Sequence, residues 1–199
     1  MKVSIISYGL GNLGSVANML KRAGAEPVLV STPHDVLASD RVLLPGIGAF
    51  DEGMSRLAAL DLVSPLQEFA ASGRPLFGVC LGMQLLCERS EEGDTECLGV
   101  IPAPVRHFAE APGLRVPHMG WNRLRVTTTH PLVADLRDGD SAYFVHSYAV
   151  PTGAWTIAES DHGGAFAAIV AHGNFMGMQF HPERSADVGA RLLRNFLLS

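Results

Sequence analysis

Arg74-Pro75-Leu76-Phe77-Gly78-Val79-Cys80-Leu81-Gly82-Met83-Gln84-Leu85-Leu86-Cys87 is the stretch on which the reading of this chain turns. Arg74 to Val79 predicts a short buried strand, and Met83 to Cys87 predicts the first turns of a helix. Gly78-Val79-Cys80-Leu81-Gly82 must bend sharply between them, with Cys80 at the apex. The pattern is G-x-C-x-G, the thiol counterpart of the nucleophile elbow, in which small flanking residues let a strained residue present its nucleophile at the carboxyl end of a sheet. The free N–H groups and positive dipole end of the following helix favour thiolate over thiol, and the Leu81 N–H can donate to an oxyanion. The competing reading is a buried core cysteine, a common fate for a cysteine among apolar residues. A core position, however, does not need glycine on both sides.

Upstream of the elbow the chain alternates strand and helix. Val3 to Ser7 reads as a first buried strand, and Leu13, Val16, Ala17 and Leu20 recur at helical spacing until Gly24. The junction, Gly9-Leu10-Gly11-Asn12-Leu13-Gly14, is a literal G-x-G-x-x-G. A dinucleotide site would also need an acid after the second strand, and Pro27 to Val30 ends in Ser31-Thr32 instead. The glycines are better read as serving a tight turn and close helix packing. Arg41 to Leu44 is a third strand, closed by Pro45-Gly46-Ile47-Gly48-Ala49-Phe50. That loop is either an ordinary strand-to-helix turn or one whose peptide N–H groups face an anion, and in a parallel sheet it shares the carboxyl edge with Cys80. Asp51 to Leu60 and Ser64 to Ala71 read as helices.

Downstream the character changes to short strands: Leu98 to Ile101, Val105 to Phe108, Arg123 to Val126, Tyr143 to Val150, Trp155 to Glu159, Ala165 to Ala171 and Phe175 to Phe180. The last four have the spacing of an antiparallel meander. A final helix carries Val188, Leu192 and Phe196 on one face. With 199 residues, 47% hydrophobic and 18% charged, the chain suits one well-buried domain spanning residues 1–199. A net charge of −5 without a basic cluster argues against nucleic acid or an anionic membrane surface. Three cysteines, without an apolar leader or a long apolar run, lead us to expect reduced thiols, no export and a cytoplasmic location.

A cysteine nucleophile needs a base and a group to orient it. His181-Pro182-Glu183 offers both, because a residue before proline is pushed into an extended conformation and positions i and i+2 then project to one side. The alternative is a solvated pair at a strand end. A zinc site lacks the paired Cys or His spacings it would require. His34, His130, His162 and His172 fall in polar turns or at strand ends, and His107 has no assigned role. His118 and His146 stand in unusual strings, Pro117-His118-Met119-Gly120-Trp121-Asn122 and His146-Ser147-Tyr148, read as loop clusters belonging to core, pocket or partner surface. Trp121 on its glycine turn would suit an interface anchor.

Together these strings resemble a known family. Cys80-Leu81-Gly82-Met83-Gln84 with His181-Pro182-Glu183 resembles the triad of class I glutamine amidotransferases. Pro45-Gly46-Ile47-Gly48, the His118-Met119-Gly120-Trp121-Asn122 string, Phe144-Val145-His146-Ser147-Tyr148 and His181-Pro182-Glu183-Arg184-Ser185 are similar to the glutaminase subunits of imidazole glycerol phosphate synthase in particular. The resemblance spans essentially the whole chain. Ser7 departs from it, where those subunits usually carry Asp.

The resemblance implies an α/β, flavodoxin-like amidotransferase fold, with a mostly parallel central sheet, flanking helices and an added antiparallel sheet. It implies Cys80 as nucleophile, His181 as general base and acid, and Glu183 as its orienting group. Leu81, Ile47 and Gly48 would form the oxyanion hole; Gly48, Gln84, Ser147 and Tyr148 would grip glutamine. No metal and no cofactor are implied. The partner would be a separate (β/α)8 cyclase subunit, paired as a heterodimer through Trp121, Asn122, Tyr148 and Arg184. Ammonia would pass through that barrel to the ribotide substrate, giving imidazole glycerol phosphate and aminoimidazole carboxamide ribotide in histidine biosynthesis. Glycine on both sides of Ile47 lets one peptide rotate, so hydrolysis is expected to be weak alone and to rise with the loaded cyclase. The rival readings are a glutamyl-peptide hydrolase on the same elbow, a silent binding module, and a glutaminase serving another acceptor such as anthranilate.

Overall fold

The computed structural model describes residues 1–109 and 111–199. The first half alternates strand and helix: β1 (Lys2–Ile6), α1 (Leu13–Arg22), β2 (Glu26–Val30), α2 (Pro33–Leu37), β3 (Val42–Leu44), α3 (Phe50–Ala59), α4 (Val63–Ala71), β4 (Leu76–Val79) and α5 (Leu81–Leu85). Its strands pair in parallel in the order β2-β1-β3-β4. Val42, Leu43 and Leu44 are apolar without alternation because this strand is buried on both faces. Successive side chains still project to opposite sides. Val3, Ile5, Leu43 and Phe77 share a core with Val16 and Leu20 of α1, whereas Ile6, Val42, Leu44 and Leu76 share one with Leu57 of α3, Leu66 of α4 and Leu85 of α5.

From Cys87 the strands shorten: β5 (Cys87–Ser90), β6 (Thr95–Glu96), β7 (Ile101–His107), β8 (His118–Arg123), β9 (Arg125–Val126), β10 (Ser141–His146), β11 (Tyr148–Ala149), β12 (Thr156–Asp161), β13 (Ala165–His172) and β14 (Phe175–Met178), before α6 (Ala186–Leu198). β14 lies parallel to β4, and β13, β12 and β9 follow antiparallel, completing an eight-stranded sheet. β10 with β8 forms a two-stranded sheet, and β11-β7-β5-β6 a four-stranded one. This is the expected mixed α/β architecture. The strand order reverses between β1 and β3, so the loops after β1, β3 and β4 meet at the carboxyl edge, where open α/β sheets bind ligands.

Several local expectations are corrected. Tyr143 to Val150 is not one meander strand, since β10 ends at His146 and pairs with β8. Leu98 to Ile101 and Val105 to Phe108 are replaced by the single β7, whose pairing with β5 slips between Cys87–Ile101 and Arg89–Pro104 and so takes up Pro102 and Pro104. The His118 string is not a loop but β8. The helix after the elbow starts at Leu81, two residues early. α2 was not anticipated; five residues are too few for periodicity, and the helix is set by Pro33 at its start and by Thr32, whose Oγ1 accepts from the Asp35 N–H. His181-Pro182-Glu183 is extended only at His181 (φ −87°, ψ 109°), and Pro182–Arg184 then forms a 3-10 turn, because proline suits the first position of a helical turn.

Candidate active site

Cys80 stands between β4 and α5 with φ +53° and ψ −113°, outside the regions open to ordinary side chains. The elbow closes this tightly because Gly82 lies against β3: a Cβ there would overlap the Leu44 carbonyl. The Cys80 N–H donates to the Met178 carbonyl at 2.8 Å, tying the elbow to β14. Since β14 leads directly to His181, the same pairing brings the histidine over the thiol.

His181 and Cys80 line the same cavity, and the His181 Nδ1 lies 3.3 Å from Glu183 Oε1. The neighbouring Cys80 first, then Glu183, pushes the imidazole up to about 10, against the opposing effect of burial. Burial is the largest single influence on the Glu183 carboxyl and pushes it up, but His181, the backbone N–H of Glu183 and the Arg184 charge together outweigh it and leave the group below its ordinary value. The second carboxyl oxygen, Oε2, is buried without a hydrogen-bond partner among the described residues. Ser185, which sequence reasoning did not pick out, fixes the turn. Its hydroxyl donates to the His181 carbonyl at 2.7 Å and accepts from the Tyr143 N–H at 3.0 Å.

Cys80 and His181 open on a cavity of about 280 Å³, lined also by Ile47, Gly48, Leu81, Gln84, Glu92, Val145, His146, Ser147 and Tyr148. Every residue expected in the oxyanion hole or on the glutamine grip is therefore on its wall. Larger clefts, of about 560 Å³ beside Thr127–Thr129, about 440 Å³ beside Asp135–Arg137 and about 390 Å³ beside Glu183, hold no cysteine. Leu81 is the first residue of α5, so its N–H has no intrahelical acceptor. Gly48 adopts φ +98°, a conformation that lets the loop after β3 fold back toward the elbow.

Two wall residues extend what sequence suggested. Gln84 Nε2 donates to the Tyr148 carbonyl and to Gln179 Oε1, both at 2.7 Å, which leaves its own carbonyl oxygen as the end without a partner among the described residues. Gln179, fully buried, in turn sets its Nε2 3.8 Å from the Cys80 sulfur. Glu92 was missed altogether. It accepts from the Phe50 N–H at 3.1 Å, capping α3 where Ala49 cannot, and puts a carboxylate on the wall of the cavity that holds the thiol. The Glu91-Glu92-Gly93-Asp94 run carries no local signal of a site, and only the fold brings Glu92 to the cavity.

The expected partner residues divide. Trp121 is 58% exposed and meets Tyr143 edge to face at 6.1 Å, and the Arg184 guanidinium sits 4.4 Å over the Tyr143 ring. Asn122, next along β8, projects the other way, to His118 and the Asp161 carbonyl. The Tyr148 ring packs against His107 at 5.0 Å. Among the described residues no group of three His, Cys, Asp or Glu side chains is placed to hold a metal ion, and no helix is long and apolar enough to cross a membrane.

The family described as glutamine amidotransferase class-I matches residues 4–199. The imidazole glycerol phosphate synthase subunit HisH of Xanthomonas oryzae pv. oryzae is 55% identical over 195 residues, which cover 98% of this chain and 96% of that one. The subunit of the same name from Xylella fastidiosa is 53% identical over 196 residues, with the same two shares. A solved structure described as a glutamine amidotransferase aligns with a TM-score of 0.77 at 20% identity, over 98% of this chain and 97% of that one. A glutamine amidotransferase from Thermotoga maritima aligns with a TM-score of 0.67 at 17% identity, over 99% and 82%. At those identities the two structures bear on the fold alone.

Proposed function

Because this chain belongs to the class-I glutamine amidotransferase family, we propose that it is the glutaminase subunit of an imidazole glycerol phosphate synthase, acting in histidine biosynthesis. The observation that carries the chemistry is Cys80 on its elbow, sharing a cavity wall with His181, whose Nδ1 lies 3.3 Å from Glu183 Oε1. His181, raised to about 10 beside Cys80, already holds the thiol's proton before the reaction; Cys80 attacks the carboxamide carbon of glutamine as the thiolate, and His181 gives that proton to the departing nitrogen. Ammonia leaves and a thioester remains. Water, deprotonated by His181, then frees glutamate and restores the thiolate. The Leu81 N–H and a peptide N–H of the Ile47–Gly48 loop receive the oxyanion; each such donor contributes about 3 kcal/mol to the barrier reduction.

The wall supplies complementary ends for the amino acid. The Glu92 carboxylate and the side-chain carbonyl of Gln84 accept from the α-ammonium, and the backbone at Ser147 and Tyr148 receives the α-carboxylate. Glu92→Gln removes a charge-assisted bond and is expected to raise KM for glutamine roughly tenfold to a hundredfold with little change in kcat. Ammonia released here serves a separate (β/α)8 cyclase, docked as a heterodimer on the Trp121, Tyr143 and Arg184 surface beside the cavity mouth. The high identity to HisH subunits along nearly the whole chain supports this acceptor over anthranilate or a glutamyl peptide. Three free thiols fit a reducing, cytoplasmic setting.

The test is covalent capture. An electrophilic glutamine analogue should add one adduct at Cys80, glutamine should protect against it, and Cys80→Ala should show none. Labelling elsewhere, or none in the native chain, would refute the assignment.

A further inference from the structure

Two buried histidines take no part in the triad. His118 on β8 and His146 at the end of β10 face each other across the two-stranded sheet, 4% and 8% exposed. His146 Nδ1 lies 2.8 Å from the Tyr148 carbonyl oxygen, and its Nε2 lies 3.1 Å from His118 Nδ1. His118 Nε2 lies 3.1 Å from Asn122 Nδ2. A carbonyl can only accept, so His146 carries its proton on Nδ1 and its Nε2 must accept. His118 therefore also carries its proton on Nδ1, and its Nε2 accepts from Asn122. The bonds run one way, from Asn122 through both rings to Tyr148.

One added proton would break this order by setting N–H against N–H. The surroundings oppose that proton: His162 stacks on His118 at 4.2 Å, Phe144 stacks on its ring at 4.9 Å, and Phe108 and Phe166 pack against His146. Burial holds the two rings down to about 4 and about 3. The acceptor at the end of the chain is not an idle carbonyl. It also receives Gln84 Nε2, and its residue, with Ser147, forms the cavity wall.

We propose that His146, held in one tautomer by His118 and Asn122, is a positioning residue that fixes the Ser147–Tyr148 backbone for the amino-acid end of the substrate. The inference rests on the reading of the cavity as a glutamine site. What sets this pair apart from a satisfied core histidine is its end point, the carbonyl that also receives Gln84 Nε2 and belongs to a residue of the cavity wall.

The experiment compares the full-length chain with His146→Leu, which fills similar space without a donor, and His146→Asn, whose amide N–H reproduces the Nδ1 donor. Glutamine turnover gives KM and kcat, and iodoacetamide, which has no amino-acid end, gives the alkylation rate of Cys80. The expected result is KM raised tenfold or more in His146→Leu, alkylation within about twofold of the native chain, and most of the KM recovered in His146→Asn. Nitrogen-15 NMR of the native chain at neutral pH should show both rings as Nδ1–H tautomers. A native KM in folded His146→Leu overturns the proposal, as does an Nε2–H tautomer on either ring, a readout that does not require the variant to fold. A native chain inert to glutamine even with the cyclase and its ribotide substrate overturns the substrate reading, and this inference with it.

Discussion

At Cys80 the backbone conformation is one that costs a non-glycine residue about 1–3 kcal/mol, and the surrounding pairing to β14 holds it there. Cys80→Gly is therefore expected to abolish turnover yet raise stability by about 1 kcal/mol in urea titration, after the entropy of an added glycine is offset. A destabilised variant would show that the elbow is relaxed. A second residue-scale expectation concerns His118 and His146, neutral in the fold with values near 4 and 3. An unfolded histidine titrates near 6.5, so below that pH the unfolded chain binds protons that the fold excludes. The contribution of these two rings is complete above about pH 6.5 and falls toward pH 4, by up to about 1.4 kcal/mol per pH unit for each ring. Urea titrations between about pH 7 and pH 5 should show this fall, with a shallower slope in His146→Asn. Cys80, His181 and Glu183 were legible from sequence because each sits in a string with its own local constraint. Glu92 was not, since no local pattern tells a turn carboxylate at a cavity from one in water.

Among the elements, the parallel strands were legible because burial on both faces leaves unbroken apolar runs such as Val42-Leu43-Leu44. β8 was hidden by Pro117 and Gly120 and by two outward-facing hydrophobics, Met119 and Trp121. Its strand identity comes from pairing with β10, a long-range fact with no local trace. The His181 turn shows the same limit: proline before Glu183 was read as extending the chain, and it starts a 3-10 turn instead. The β3–α5 contact yields the prediction at this scale. A methyl at Gly82 meets the Leu44 backbone, which has no rotamer to move, so Gly82→Ala is expected to cost about 3 kcal/mol or more in urea titration and to displace the elbow. A cost below about 1 kcal/mol would mean that the two elements part easily.

At the scale of the whole molecule, β14 is the joint. It comes late in sequence yet inserts between β4 and β13, so the early parallel half and the late antiparallel half share one sheet. We read residues 1–199 as one cooperative unit on that ground. Both tryptophans, Trp121 and Trp155, lie in the late half, while circular dichroism follows the helices of the early half as well. Urea curves from the two signals are expected to coincide, and separated midpoints would contradict a single unit. The central claim, that Cys80 hydrolyses glutamine on behalf of a cyclase, is tested most directly by glutamate release, measured for the chain alone, with the cyclase, and with the cyclase plus its ribotide substrate. The account predicts weak release alone, a marked rise in the complete mixture and loss of about 10³-fold or more in Cys80→Ala. Release that needs Cys80 but ignores the cyclase would contradict the assigned partner, and release that survives Cys80→Ala would contradict the mechanism itself.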